Sequence, residues 1–269
     1  MSRSGVLVGV LSLAPSLVFA QQDQAVVDRV LGNVPDLVTS VVDEGLPAGT
    51  ISVQVVDSTN APAAKQAVSL GIMEQSGGRE SAACMTDERG ICSFDSLSVD
   101  TKHSYRVNVP YEGARYSSMP FRLDPTRGQR VRVVRLPTTG DDRRVFQILG
   151  RTMIEFRDDR AHITQDVRLS NLGDTTYVFP EGGMKIRLPD GFKAFETMAV
   201  MTDQQIIATD DGLQIDGSIP PGRANLMWTY DIPVGGTSMT LQQAVPFPTM
   251  EYQVVSDYVD GMTLEVEGF

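Results

Sequence analysis

The sequence predicts an all-β fold: two tandem antiparallel β-sandwiches behind a short N-terminal helical segment. Three observations carry this. From Gly49 onward, apolar residues recur with a period of two, as in Ile51, Val53 and Val55 or Ala224, Leu226, Trp228, Tyr230 and Ile232, the pattern of half-buried strands. The runs are short and separated by turn chemistry such as Asn60-Ala61-Pro62, Gly77-Gly78 and Pro189-Asp190-Gly191. A polar stretch, Thr138-Thr139-Gly140-Asp141-Asp142, divides them near the middle, and residues 138–145 are expected to be a linker.

Taken in order, Met1 to Ala20 has the pattern of a secretory signal: Arg3, then an apolar run from Gly5 to Leu13, then Val18-Phe19-Ala20 as a cleavage site. The run is shorter than the ~20 apolar residues of a membrane span, and no lipoprotein cysteine follows it. Residues 21–47 change pattern. Val26, Val27, Val30, Leu31 and Val34, then Leu37, Val38, Val41 and Val42 after Pro35, sit at helical spacing and end at Gly45-Leu46-Pro47. One or two amphipathic helices are expected there, packed on the body or held for a partner.

Residues 48–137 give the first sandwich. Strands are expected around Ile51–Val55, Ala67–Ile72, Tyr105–Val109 and Arg130–Arg135, with a cysteine hairpin between the second and third. Cys84 and Cys92 flank a polar turn ending in Gly90. An even cysteine number in an exported chain points to a disulfide, and closing so short a loop is worth roughly 2.6 kcal/mol on a chain-entropy basis. Residues 146–269 give the second sandwich, with about eight strands. These include Ala161 to Leu169, Tyr177 to Phe179, Met184 to Leu188, Ala224 to Ile232, Met239 and Leu241, Tyr252 and Val254, and Leu264 and Val266. The chain ends soon after, so no C-terminal anchor is expected.

The first of these parts resembles a known family. Gly49-Thr50-Ile51 through Val55-Val56-Asp57, then Ala61-Pro62 and Ala67-Val68-Ser69-Leu70, is similar to the opening of carboxypeptidase regulatory-like domains. Thr86-Asp87-Glu88-Arg89-Gly90 followed by Phe94 and Leu97 resembles their turn-plus-strand motif, and Tyr111-Glu112-Gly113 with Tyr116 a tyrosine-rich loop of bacterial members. The match covers about residues 49–137. Val53, Asn60 and Lys65 depart from it, standing where members commonly carry glycine. The resemblance implies a seven-stranded, transthyretin-like sandwich without catalytic activity, in a fold shared with carbohydrate-binding modules. The second half is similar to a recurrent bacterial exported β-domain that follows such domains.

Composition narrows the chemistry. The 269 residues are 41% hydrophobic and 21% charged, with 23 Lys and Arg against 34 Asp and Glu, a net charge of −11. That balance disfavours nucleic acid and anionic membranes as partners. Two histidines and two cysteines are too few for most zinc, haem or iron–sulfur sites, so no cofactor or metal is expected. A nucleophilic triad needs an imidazole held by a carboxylate. Only His103 and His162 exist, both expected on solvated surface, and there is no Gly-X-Ser-X-Gly elbow. Most of the acids are expected in turns, such as Asp141-Asp142, Asp158-Asp159 and Asp210-Asp211. Asp210-Asp211-Gly212 with Asp216-Gly217 lacks the alternation of a calcium loop. Trp228 is expected in the core.

These features point to an exported, non-catalytic binding or scaffolding protein of the bacterial cell envelope, in the periplasm or at the cell surface, contacting protein or envelope partners. Carbohydrate recognition through the loop aromatics Tyr111 and Tyr116 is the first alternative. A carboxylate-dependent hydrolase is the second.

Overall fold

Strands are the only regular elements in the described residues, which in this computed structural model are 36–197, 203–235, 239–257 and 260–267. Eight lie before Arg135: β1 (Val38–Asp43), β2 (Ile51–Val56), β3 (Ala67–Glu74), β4 (Arg79–Met85), β5 (Ile91–Phe94), β6 (His103–Tyr111), β7 (Ala114–Ser117) and β8 (Gly128–Val134). They form two four-stranded sheets, β1-β8-β2-β5 and β4-β3-β6-β7. Alternation decides the faces. Ile51, Val53, Val55, Val131 and Val133 of one sheet and Leu70, Val107 and Val109 of the other are fully buried and share one core. The fold class read from the sequence is the one observed. Antiparallel pairing dominates, but β2 and β8 run parallel, Ile51 opposite Gln129 through Val56 opposite Val134.

Two local expectations are corrected here. Residues 36–47 hold a strand, not a helix: β1 pairs antiparallel with β8 from Val38–Val133 to Asp43–Gly128. The spacing of Leu37, Val38, Val41 and Val42 fits a helix, but β-branched valines favour strands, and so short a helix is unstable alone. The ladder to β8 satisfies the backbone instead, and Val41 and Val42 stay 56% and 44% exposed. The rest of the expected helical segment, residues 21–35, and the expected signal, residues 1–20, lie outside the described residues.

The second correction concerns the cysteines. Cys84 and Cys92 are disulfide-bonded, with Cα atoms 6.1 Å apart, but not across a hairpin. β4 pairs with β3 and β5 with β2, so the connection is an arch and the disulfide joins the two sheets. Asp87 Oδ1 closes the turn by accepting the Arg89 and Ile91 N–H groups at 2.9 Å each. Gly90 (φ +72°) packs so closely that a Cβ there would lie 2.4 Å from the Val55 carbonyl oxygen.

Eleven further strands follow: β9 (Thr138–Thr139), β10 (Val145–Arg157), β11 (Arg160–Asn171), β12 (Thr176–Val178), β13 (Met184–Arg187), β14 (Lys193–Thr197), β15 (Gln205–Thr209), β16 (Gly212–Asp216), β17 (Ser218–Ile219), β18 (Gly222–Pro233) and β19 (Tyr252–Ser256). A five-stranded sheet, β14-β18-β11-β10-β19, packs on two three-stranded ones, β17-β12-β9 and β13-β16-β15. The inward row of β18, Ala224, Leu226, Trp228, Tyr230 and Ile232, meets Tyr177, Ile186, Leu213, Ile215 and Ile219 in a second core. Polar side chains share the inward face of β10 and β11. Gln147 and Gln165 are 1% exposed, and the Thr152 hydroxyl sits 3.1 Å from Gln165 Oε1 and 2.8 Å from the Tyr252 hydroxyl.

Three segments of this half also differ from expectation. Thr138–Thr139, inside the expected linker, pairs parallel with Thr176–Tyr177. Met239 and Leu241 form no strand and instead pack irregularly against the second core. Leu264 and Val266 alternate like a strand yet have no ladder partner among the described residues, and are 46% and 51% exposed. From Asp36 onward the chain forms one compact unit. No helix among the described residues is long and apolar enough to cross a membrane.

Candidate functional site

The tyrosine-rich loop singled out in the sequence is the tight turn between β6 and β7, and it meets the second half of the chain. Tyr111 pairs with Ala114, leaving Glu112 (φ +47°) and Gly113 (φ +82°) as a two-residue turn with both residues left-handed, the form that suits hairpin twist. Glycine is at ease there, whereas glutamate is strained. The Glu112 carboxylate accepts a hydrogen bond from the Thr138 hydroxyl at 3.3 Å. Gly113 lies against Val178, whose Cγ1 would be 3.0 Å from any added Cβ.

Tyr116 anchors this contact. Its hydroxyl is 3.2 Å from the Leu136 carbonyl oxygen, 3.0 Å from the Leu136 N–H nitrogen and 2.8 Å from Thr176 Oγ1. A phenol has one proton. Donated to the Leu136 carbonyl, it leaves the oxygen free to accept from Leu136 N–H and from the Thr176 hydroxyl. Burial pushes the Tyr116 pKa up, so this hydroxyl keeps its proton. Tyr116 is therefore not a ligand-facing aromatic: it is 2% exposed and ties β7 to β12.

A second tie lies nearby. Arg106 of β6 approaches Asp203 at 3.5 Å, with both side chains mostly buried, and donates its Nε–H to the Ser118 carbonyl at 3.2 Å. Burial pushes the Asp203 carboxyl up, against the Ser117 hydroxyl and the charges of Arg106 and Arg115, which pull it down. The Arg115 N–H reaches Ser218 Oγ at 3.5 Å. Contacts thus run from one hairpin to β9, β12, β17 and Asp203, two residues ahead of β15.

Beside them opens a cleft of about 450 Å³, lined by Tyr111, Glu112 and Arg115 on one side and Asp203, Gln205 and Asp216 on the other. Small-ligand sites span about 300–1,000 Å³. Tyr111 is the one sequence-predicted ligand residue at this rim. The Arg135 guanidinium stacks on its ring, 4.2 Å from the centroid, and donates to Gln66 Oε1 at 2.8 Å. The arrangement offers an aromatic edge, one guanidinium, one amide and three carboxyls to a polar ligand.

The histidines are held more firmly than expected. His103 Nδ1 lies 2.7 Å from Asp100 and its Nε2 3.7 Å from Glu74. The hydrogen bond to Asp100 raises the His103 pKa and draws Asp100 down to about 2. His162 Nδ1 lies 2.7 Å from Asp231, which Arg160 approaches at 3.3 Å. Both imidazoles are largely covered, with side chains 23% and 20% exposed, so neither is a freely solvated surface group. The Asp231 contact joins neighbouring strands β11 and β18, where His162 sits opposite Asp231, a register no local pattern announces. Trp228, 1% exposed, lies in the second core. Among the described residues no group of three His, Cys, Asp or Glu could hold a metal ion.

No family model and no curated protein matches the chain. Among solved structures it is similar to BcpA, the major pilin subunit of Bacillus cereus, at 9% identity and a TM-score of 0.21, covering 71% of this chain and 60% of that one. It is also similar to the shaft pilin SpaA from Lactobacillus rhamnosus GG, at 11% identity and a TM-score of 0.24, covering 79% of this chain and all of that one. Superpositions this loose relate the chains only as β-rich structures.

Proposed function

We propose that this protein is an exported, non-catalytic binding or scaffolding protein of the bacterial cell envelope, built from two β-sandwich bodies, residues 48–137 and 146–269, joined around residues 138–145. The observation that carries the reading is the buried polar tie between them, the Tyr116 hydroxyl to Thr176, with Arg106 to Asp203 beside it; the Leu136 backbone of the first body holds the same hydroxyl in place. Interfaces inside a chain are by default weak enough to allow relative motion. A buried polar contact whose groups are hydrogen-bonded, as at the Tyr116 hydroxyl, instead fixes one geometry, which suits a part that positions partners. The signal-like Met1–Ala20 and the disulfide support export to an oxidising space. The seven strands β2–β8, three in one sheet and four in the other, support the likeness to carboxypeptidase regulatory-like domains. So do Asn60 (φ +66°) and Lys65 (φ +55°), left-handed at positions where members carry glycine.

The cleft favours a second reading, a carbohydrate-binding protein with Tyr111 at the rim and Glu112, Arg115 and Asp216 as polar contacts. One experiment separates the two. The purified protein, with and without residues 21–35, is crosslinked in an envelope fraction, and in parallel applied to a glycan array. The scaffold reading expects a reproducible protein partner and no saturable glycan. Saturable glycan binding abolished by Tyr111→Ala gives the second reading. Turnover of an envelope polymer contradicts both.

A further inference from the structure

Residues 262–267, Met-Thr-Leu-Glu-Val-Glu, have the alternation of a strand with one apolar face, Met262, Leu264 and Val266, and one acidic face, Glu265 and Glu267. They carry no ladder among the described residues, and Leu264 and Val266 face solvent. A strand-forming segment with an uncovered apolar face is suited to pairing with an open sheet edge.

Among the described residues β13 supplies a matching edge. It is the outer strand of β13-β16-β15, so one of its two edges has no partner strand. Ile186 is buried in the second core, whereas Lys185 and Arg187 point outward and are exposed. Side chains two residues apart share a face in any strand, so the spacing of Lys185 and Arg187 equals that of Glu265 and Glu267. A strand laid along β13 with Leu264 and Val266 continuing the apolar face of Met184 and Ile186 sets each glutamate beside a cation. Another sheet edge, at β1, ends in Asp43-Glu44 and would repel the segment. Arg187 already meets Asp190 at 3.0 Å, but both side chains are highly exposed and such a pair holds little.

We propose that two copies of this chain associate by addition of residues 262–267 of one copy to the free edge of β13 in the other. The joining surfaces are different patches, so the contact is heterologous and builds a closed ring or an open chain. This goes beyond the envelope role and does not rest on it.

Sedimentation of the purified full chain over a concentration series reaching on the order of 1 mM tests it. Concentration-dependent association is expected, weakening as salt is raised. Glu265→Lys with Glu267→Lys should weaken it by about tenfold or more, since two attractive cross-strand pairs become repulsive. Lys185→Glu with Arg187→Glu should do the same, and mixing the two variants should restore it. Glu265→Gln with Glu267→Gln, which only removes charge, should fall between. Monomer at every concentration overturns the proposal. So does association that ignores both reversals, or a concentration-independent loss of stability in the reversed chains, which places the segment on its own β13.

Discussion

Replacing Tyr116 by phenylalanine removes one buried hydroxyl and keeps the ring. The hydroxyl contacts three groups, the Leu136 N–H, the Leu136 carbonyl and the Thr176 hydroxyl. A hydrogen bond is worth about 0.5–1.5 kcal/mol net, and a buried donor left unsatisfied costs about 1–3 kcal/mol. Together these predict a loss of about 2–4 kcal/mol. At about 2–4 °C per kcal/mol for a unit of 150–250 residues, Tm should fall by roughly 8 °C. Tyr105→Phe is the control: Tyr105 is equally buried, but its hydroxyl makes one bond, to the Ser98 carbonyl at 2.7 Å. It should cost about 1 kcal/mol. The sole tryptophan, Trp228, lies in the second core, so its fluorescence follows that half while circular dichroism follows both. The two signals should coincide in the wild type and separate in Tyr116→Phe. If Tyr116→Phe costs no more than Tyr105→Phe and the signals stay together, Tyr116 does not couple the halves.

Other predictions follow from the same contacts. At Gly150 a Cβ would lie 2.0 Å from Gln147 Nε2 and 2.4 Å from the Tyr252 ring, so Gly150→Ala should lose about 1–3 kcal/mol in a urea titration. Gly140→Ala, with nothing within 4 Å, should change stability by less than about 0.5 kcal/mol; equal effects would contradict the packing described for β19. Changing both Cys84 and Cys92 to serine should cost about 2–3 kcal/mol, whereas an unchanged midpoint would mean that the arch is held without the disulfide. His103 should titrate by NMR above its ordinary 6.5, because Asp100 holds its proton. Its pairing therefore stabilises fully below pH 6.5 and fades as pH rises through the raised value. The Asp100 side behaves oppositely, stabilising above its ordinary 3.8 and failing as pH falls toward 2. The wild type's advantage over Asp100→Asn should peak between those limits, and an advantage that keeps growing above pH 7 would reverse the assignment.

Much of this fold is legible because burial and strand period coincide. In β18 every second residue from Ala224 to Ile232 is buried, and β2 and β6 read as cleanly. Where the sequence misleads, the deciding partner is distant. Val38, Val41 and Val42 fit a helical period, and only the free edge of β8, some ninety residues on, makes them a strand. The Asp87–Gly90 turn suits a hairpin or an arch equally, and the choice falls to pairings with β2 and β3. Tyr111 and Tyr116 share one motif yet differ in role, because Thr176, sixty residues away, covers the second and not the first. Leu264 and Val266 carry the strand pattern without a strand partner among the described residues.

The central claim is that one hairpin fixes the two β-rich halves in a single geometry. Pulsed electron–electron resonance on spin labels at the exposed positions Glu80 and Glu181, one in each half, measures it directly. One narrow distance distribution is predicted for the wild type, broadening when Tyr116→Phe is combined with Asp203→Ala. A broad or multiple distribution in the wild type, unchanged by those substitutions, would contradict it.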